Sequence, residues 1–357
     1  MTNKSGLEGV SVADTELSLV DGERGELVLR GHRVDDLAGR VPFEDAVGLF
    51  FDGRLPDAGR REELRVALER GRAEAYERLP RGPLELKDGM EALRGAVGGL
   101  DDAGPAGRFR LVGAVAVAAA AWARRAAGRG PLPPTPGLRH AEDFLAMVRG
   151  TAPPPEEAAA ADAYLVTVID HGMNASTFAA RVVASTGSDD VSAVTAAIAA
   201  LKGPLHGGAP GPVLDMLDAV GRADRARAWV GGELAAGRRI MGMGHRVYRV
   251  RDPRAAVLEK AITRLAASER LALARAVERE AEALLAARHP DRPLKANVEF
   301  YTAVLLEAIG LPRGVFTPTF ATARVVGWLA HVDEQRRTGR LIRPAANYVG
   351  PMPQAAA

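Results

Sequence analysis

The sequence predicts a predominantly α-helical protein with one short β-hairpin. Three observations carry that expectation. Apolar residues return at helical spacing in segment after segment, several of them opened by proline and closed by glycine. Only one stretch, close to the start, pairs two short apolar runs across an Asp-Gly turn signal. Apolar residues make up 47% of the chain and charged residues 26%, with 5% aromatics, so a core of small and aliphatic side chains is expected and disorder is excluded. At 357 residues the chain is long for a single core, which favours one large domain with a smaller partner, or two comparable domains.

Taken in order, the hairpin is predicted from Leu17 to Val20 and from Glu26 to Leu29, on either side of Asp21-Gly22. Pro42 suits the first turn of a helix, Phe43, Val47, Phe50 and Phe51 share its apolar face, and Gly53 is its stop. A polar helix with alternating charges covers Ala58 to Arg78. Prolines at 80 and 83, Gly104-Pro105, Pro131 to Pro136 and Pro153 to Pro155 mark loops. Leu111 to Ala123 is the most apolar run, bounded by Arg110 and Arg124. Its thirteen residues fall short of the roughly 20 that span a bilayer, so an Ala-rich buried helix is the reading.

Further helices are predicted from Pro155 toward Asp170-His171-Gly172, from Ala175 to Ser185, and from Val191 to Lys202, where Gly203-Pro204 ends the run. More follow beyond Pro212. Ala255 to Arg288 is strongly helical, Asn297 to Ile309 is closed by Gly310 and Pro312, and Thr317-Pro318 opens a helix through Trp328 to Arg336.

Several function classes are excluded at once. With no cysteine there is no disulfide, thiolate nucleophile, Cys-bound zinc or iron–sulfur cluster. Lysine and arginine number 47 against 45 acids, for a formal charge of +2, and no long basic block appears, so no nucleic-acid partner is expected. Met1 to Gly9 is polar, without the apolar run of a signal peptide; no membrane association and a cytoplasmic location are expected. Walker A, Rossmann, G-x-S-x-G and H-E-x-x-H patterns are all missing, and no two histidines stand at i, i+3 or i, i+4, so no metal site is expected.

Three histidines have unusual settings. His206 follows Gly203-Pro204-Leu205 and precedes two glycines, which let a backbone or ligand approach the ring. His245 lies in Gly242-Met243-Gly244-His245-Arg246, again beside glycine, and His171 ends a helix at Asp170-His171-Gly172-Met173-Asn174. Arginines crowd the same regions: Arg246, Arg249, Arg251 and Arg254 after His245, Arg324 four residues before Trp328, and Arg343 beyond that helix. Arginine grips carboxylates bidentately, although a chain so rich in arginine will leave most of these in solvent. Glu299 falls in the first turn of a helix, where the dipole favours a carboxylate whether or not it has a further use.

The combination resembles the citrate synthases in their short bacterial form, over nearly the whole length. The likeness rests on Gly6 to Val10, Val20-Asp21-Gly22-Glu23-Arg24-Gly25-Glu26-Leu27, Leu55-Pro56 and Asp170 to Phe178. Its most specific parts are Leu201-Lys202-Gly203-Pro204-Leu205-His206-Gly207-Gly208-Ala209, Gly244-His245-Arg246-Val247-Tyr248 and Asp252-Pro253-Arg254. Phe316-Thr317-Pro318, Gly327 to His331 and Ile342-Arg343-Pro344 complete it.

The resemblance implies an all-α fold with a large domain, 1–208 with 306–357, and a small domain, 209–305. It implies an acyltransferase that condenses acetyl-CoA with oxaloacetate and hydrolyses citryl-CoA, with acetyl-CoA as co-substrate, no permanently bound cofactor and no metal. His206 would donate to the thioester oxygen, Glu299 would take the α-proton, and His245 would polarise the ketone. Arg254, Arg324, Arg343 and His171 would hold oxaloacetate, with Arg343 crossing a homodimer interface, and Arg246 and Arg249 would meet the CoA phosphates. Two departures stand out: Glu299 replaces the usual aspartate, and Gly172 replaces a common glutamate. The longer base leaves open a 2-methylcitrate synthase using propionyl-CoA, and a non-catalytic relative that binds a dicarboxylate or an acyl-CoA.

Overall fold

The computed structural model describes residues 6–7, 9–101, 107–206, 210–265, 269–290 and 294–353. The expected turn at Gly104-Pro105, and Gly207-Gly208-Ala209 after His206, lie outside the described residues.

The hairpin is present and slightly larger than expected. Strands β1 (Ser18–Asp21), β2 (Glu26–Leu29) and β3 (His32–Arg33) form an antiparallel sheet in the order β1-β2-β3. Asp21 pairs with Glu26, so four residues make the turn. The Asp21 carboxylate accepts from the backbone N–H groups of Glu23 and Arg24, which is what an aspartate at the head of a turn does.

Helices then follow without a further strand among the described residues. They are α1 (Val34–Leu37), α2 (Phe43–Asp52), α3 (Ala58–Arg78), α4 (Gly89–Gly98), α5 (Arg108–Ala126), α6 (His140–Arg149), α7 (Pro155–Val168) and α8 (Ala175–Ser185). The second half holds α9 (Asp190–Leu201), α10 (Pro210–Val220), α11 (Ala226–Ala235), α12 (Pro253–Thr263), α13 (Glu269–Arg288), α14 (Val298–Ala308) and α15 (Phe316–Thr338). None of the described helices is long and apolar enough to cross a membrane. Side chains of Asp57, Asp88, Asn174, Asp189, Asp252 and Asn297 cap six of the N-termini, and Gly53 and Gly150 end α2 and α6 in the left-handed conformation.

The helical stretch from Ala255 to Arg288 comprises two helices. The halves have different partners, α12 against α14 and α7, α13 against α11. The Ala-rich α5 is buried from Arg110 to Ala123 and forms the axis on which α3, α4, α6 and α15 pack.

Close helix approach depends on glycine at a few places. At Gly327 on α15 a β-carbon would sit 2.5 Å from the Ile169 carbonyl oxygen and 2.7 Å from an Asp170 carboxylate oxygen. That contact seats α15 against the end of α7, where His171 begins. Gly327→Ala is therefore expected to overpack this junction and cost about 1–3 kcal/mol. Gly232→Ala, on an exposed face of α11 with nothing within 4 Å, is expected to raise stability by up to about 1 kcal/mol. Denaturant unfolding of the two variants checks both signs.

Candidate active site

Asp170, two residues past the end of α7, is fully buried and builds the first wall. It accepts from Ser18 Oγ at 2.6 Å and from the Gly172 N–H at 3.0 Å, and lies 3.4 Å from His331 Nε2. Burial alone would raise its pKa, but His331, Arg324 and the Ser18 hydroxyl outweigh that and hold it at about 2. Gly172 has φ +57, a conformation that glycine adopts freely, and a β-carbon there would touch Val20 and Ser18.

Asn174 caps α8, and its Oδ1 also accepts from Ser176 Oγ at 2.8 Å. Ser176 Oγ in turn accepts from Trp328 Nε1 at 3.1 Å and lies 2.9 Å from His206 Nε2. Ser176 thus has one proton and two acceptors for it. When the proton turns to His206, the neutral ring carries its own hydrogen on Nδ1. Burial, then the charge of Arg324, pushes His206 down to about 4.

The loop bearing His245 is tied to the start of α14. Gly244 N–H donates to Lys295 O, Asn297 N–H to Gly242 O, and Asn297 Nδ2 to Gly244 O at 2.7 Å. Gly242 (φ +73) and Gly244 (φ +85) would each place a β-carbon 2.9 Å from a neighbour, Phe300 and Leu294 respectively. These glycines serve the loop's seat against α14, where the sequence suggested an approach to the ring. His245 Nδ1 accepts from the backbone N–H groups of Val247 and Tyr248 at 3.0 and 3.1 Å, so the neutral ring carries its hydrogen on Nε2. Burial and Arg254 push His245 down to about 4, against the opposing charge of Asp252.

His171 and His245 meet edge to face with ring centres 5.5 Å apart. Tyr248 lies beside both, its hydroxyl 3.2 Å from His171 Nε2 and its ring 4.8 Å from that of His245. His171 is well below the ordinary histidine range, through burial and the nearby Arg254 and Arg324.

Two buried arginines complete the cluster. Asp252 grips Arg254 through Nε and Nη2 at 3.0 and 2.8 Å, and accepts from the Arg254 and Val298 backbone N–H groups as well. Arg324 donates Nε to Val168 O and stacks 4.4 Å over Phe320, while its buried Nη2 has no partner among the described residues. Burial lowers Arg324 to about 10. Glu299, two residues after the cap Asn297, is half-buried, and its backbone N–H donates to Asn297 Oδ1. Burial raises its carboxyl to about 7 against the attraction of Arg254 and Arg324.

Six of the expected site residues therefore share one electrostatic neighbourhood: His171, His206, His245, Arg254, Glu299 and Arg324. Arg246 lines an adjoining cavity of about 560 Å³ with Arg238, Arg239, His245, Arg288 and His289. Arg249 does not line that cavity; it is exposed, and its backbone N–H donates to Gly22 O at 2.8 Å. Arg343 is exposed on the extended chain after α15 and joins no ion pair or hydrogen bond within the described residues. Among the described residues no three His, Asp or Glu side chains group to hold a metal ion. Sequence reasoning missed Ser176, Tyr248 and Asp252 as members of this cluster, and Arg238, Arg239 and Arg288 as cavity lining. Only Asp252 had a local signal, as the aspartate before a helix-opening proline.

The model of the citrate synthase C-terminal domain matches residues 6–345. The chain belongs to the citrate synthase family. It is 40% identical to putative citrate synthase 2 of Mycobacterium tuberculosis, over 98% of this chain and 93% of that one. Against citrate synthase 2 of Bacillus subtilis the identity is 37%, over 98% and 97%. Among solved structures, citrate synthase from Thermotoga maritima superposes with a TM-score of 0.84 at 34% identity, covering 100% and 98% of the two chains. Citrate synthase from Thermoplasma acidophilum, solved as a ternary complex with carboxymethyl coenzyme A and oxaloacetate, gives 0.86 at 29% identity, covering 99% and 97% of the two chains.

The Asp252 network generates a stability prediction. Asp252→Asn is expected to leave Arg254 buried with a weakened partner and to cost on the order of 3 kcal/mol. Denaturant unfolding checks the cost. Nitrogen-15 spectra of the parent at pH 7 are expected to show His245 neutral, with its hydrogen on Nε2.

Proposed function

We propose that the protein condenses acetyl-CoA with oxaloacetate and hydrolyses the resulting citryl-CoA to citrate and CoA. One observation carries this reading: a carboxylate with raised proton affinity shares a cleft with neutral imidazoles and two buried arginines. That set suits removal of a weakly acidic carbon-bound proton beside a bound dianion.

In this mechanism Glu299 takes the α-proton of acetyl-CoA while the Nδ1–H of His206 donates to the thioester oxygen. The nucleophilic carbon then adds to the ketone carbon of oxaloacetate. His245 Nε2–H donates to the oxygen that becomes the hydroxyl of citryl-CoA and supplies its proton. Water then adds to the thioester carbonyl, the C–S bond breaks, and CoA leaves as the thiol. Arg254, Arg324 and His171 hold the oxaloacetate carboxylates; the unpartnered Nη2 of Arg324 supports that assignment. The cavity beside His245, with Arg238, Arg239, Arg246 and Arg288, is where the CoA phosphates would sit.

The small domain, 209–305, carries His245 and Glu299, and the large domain, 1–208 with 306–357, carries His206, His171 and Arg324. Closure of one on the other would exclude water. Arg343 would act in the site of a second copy. The segment around it exposes Leu341, Tyr348, Val349 and Met352, an apolar set that supports docking on a partner.

Thiol release with oxaloacetate and paired acyl-CoAs tests the reading. Release is expected with acetyl-CoA; a preference for propionyl-CoA would indicate 2-methylcitrate synthesis, and no release with either would leave only binding. Glu299→Gln is expected to lower kcat by at least about 100-fold. Because the base must be charged, kcat/KM for the acyl-CoA is expected to fall about tenfold per unit as pH drops below about 7.

A further inference from the structure

Tyr248 meets two of the three site histidines, and the mechanism above gives it no task. It is 2% exposed and lies in the loop that carries His245. Its ring packs 4.8 Å from the His245 ring, 5.7 Å from the His171 ring and 5.9 Å from the Arg254 guanidinium. The backbone on either side is anchored to the hairpin turn. Arg249 N–H donates to Gly22 O at 2.8 Å, and a β-carbon on Gly22 would stand 2.2 Å from the Val247 carbonyl oxygen. The phenol is therefore placed by packing, before any hydrogen bond that it makes.

Its hydroxyl lies 3.2 Å from His171 Nε2, and the surroundings decide which of the two donates. The hydroxyl has no other partner among the described residues. If it accepted from the ring, its own hydrogen would find no acceptor among them, in a residue that is almost wholly buried. Burial raises the phenol above its ordinary range, with Arg254 opposing, so the hydrogen is present near pH 7. His171 is neutral, pushed down by burial and by Arg254 and Arg324. A neutral imidazole has one bare nitrogen and one N–H. When the tyrosine donates to Nε2, the ring's hydrogen is on Nδ1, which makes no hydrogen bond to another described residue.

That placement decides whether the ring can hold an anion. A carboxylate only accepts hydrogen bonds, so a bare nitrogen turned toward it repels and an N–H holds it. We propose that Tyr248 is a positioning residue for oxaloacetate: its O–H donates to Nε2 of His171 and so keeps the hydrogen on Nδ1, the nitrogen left for a substrate carboxylate. The proposal rests on the reading of His171 as an oxaloacetate contact given above. Tyr248 then sets the hydrogens of two histidines in opposite senses. Its backbone N–H, at 3.1 Å, is one of the two that occupy Nδ1 of His245 and leave Nε2–H there. Its side chain occupies Nε2 of His171 and leaves Nδ1–H.

Tyr248→Phe in the full chain removes the hydroxyl and keeps the ring and the backbone N–H. Long-range nitrogen-15 spectra at pH 7, with His171 assigned through His171→Gln, read the hydrogens directly. The parent is expected to show Nδ1 of His171 protonated and Nε2 bare. In Tyr248→Phe the His171 signals move toward the Nε2–H form, while His245 keeps its hydrogen on Nε2. A merely structural role for the tyrosine would disturb both rings or neither. Calorimetric titration with oxaloacetate alone is expected to show binding at least about tenfold weaker in Tyr248→Phe, since a hydrogen bond to a charged group is lost. In steady state KM for oxaloacetate rises by the same factor, and KM for the acyl-CoA stays within about twofold. In a His171→Gln background, where an amide donates without a choice of tautomer, Tyr248→Phe changes oxaloacetate affinity by less than about twofold.

A parent with the His171 hydrogen on Nε2 would overturn the proposal even if the variant failed to fold. So would unchanged oxaloacetate affinity in Tyr248→Phe, or equal weakening in both backgrounds. A parent that binds oxaloacetate but releases no thiol, with the spectra as expected, would sink the condensation reading and leave the role of Tyr248 standing.

Discussion

The carboxylate of Asp252 holds the site together. It is 1% exposed, yet it accepts four hydrogen bonds: the backbone N–H of Arg254, the Arg254 Nε and Nη2, and the backbone N–H of Val298. A buried ion is costly unless its geometry is good and its lone pairs are used, and here both conditions are met. The consequence is geometric. One side chain caps α12, orients the guanidinium of Arg254, and fixes the first residue of α14. Glu299 is the next residue along. The buried guanidinium of Arg254 and the start of α14 that bears Glu299 are therefore tied to one carboxylate.

From that frame the electrostatics follow. Two buried arginines and the desolvation of the cleft push His171, His206 and His245 below the range in which they would be charged near pH 7. In the neutral His245 ring the hydrogen is placed on Nε2, because two backbone N–H groups donate to Nδ1. Desolvation acts on Glu299 in the opposite sense, raising its proton affinity although both arginines oppose it. The cleft thus combines two buried guanidinium groups with a carboxyl of raised proton affinity.

Much of the fold was legible in the sequence because its signals are local. α3, α8 and α14 begin where side-chain caps stand, and α2 ends at a glycine that the structure places at φ +79. α4 and α6 escaped notice for equally local reasons. α4 contains Gly95 and Gly98, which blur a helical pattern, and α6 follows a proline-rich loop with no capping side chain at its start. The site was legible as a set of motifs, through the family resemblance, but its organisation was not. His171 and Tyr248 are 77 residues apart and meet through one hydrogen bond. Arg249 stands out in the sequence because it sits among arginines; in the structure its backbone N–H donates to Gly22 O and its side chain is exposed.

The Val20-Asp21-Gly22 motif shows how such a sequence signal acquires its meaning. As a turn it needs only an aspartate and a flexible residue. In the structure a β-carbon on Gly22 would stand 2.2 Å from the Val247 carbonyl oxygen, and one on Gly25 would stand 2.5 Å from Val250. At its other end the hairpin donates Ser18 Oγ to Asp170. The same eight residues, 18–25, thus touch the His171 loop on one side and the His245 loop on the other. Bulk at the turn would displace a backbone carbonyl rather than a side chain, and a carbonyl two residues from His245 cannot move without carrying the imidazole with it. The glycines are required by the neighbouring loop, and through it by the 5.5 Å approach of the two histidines.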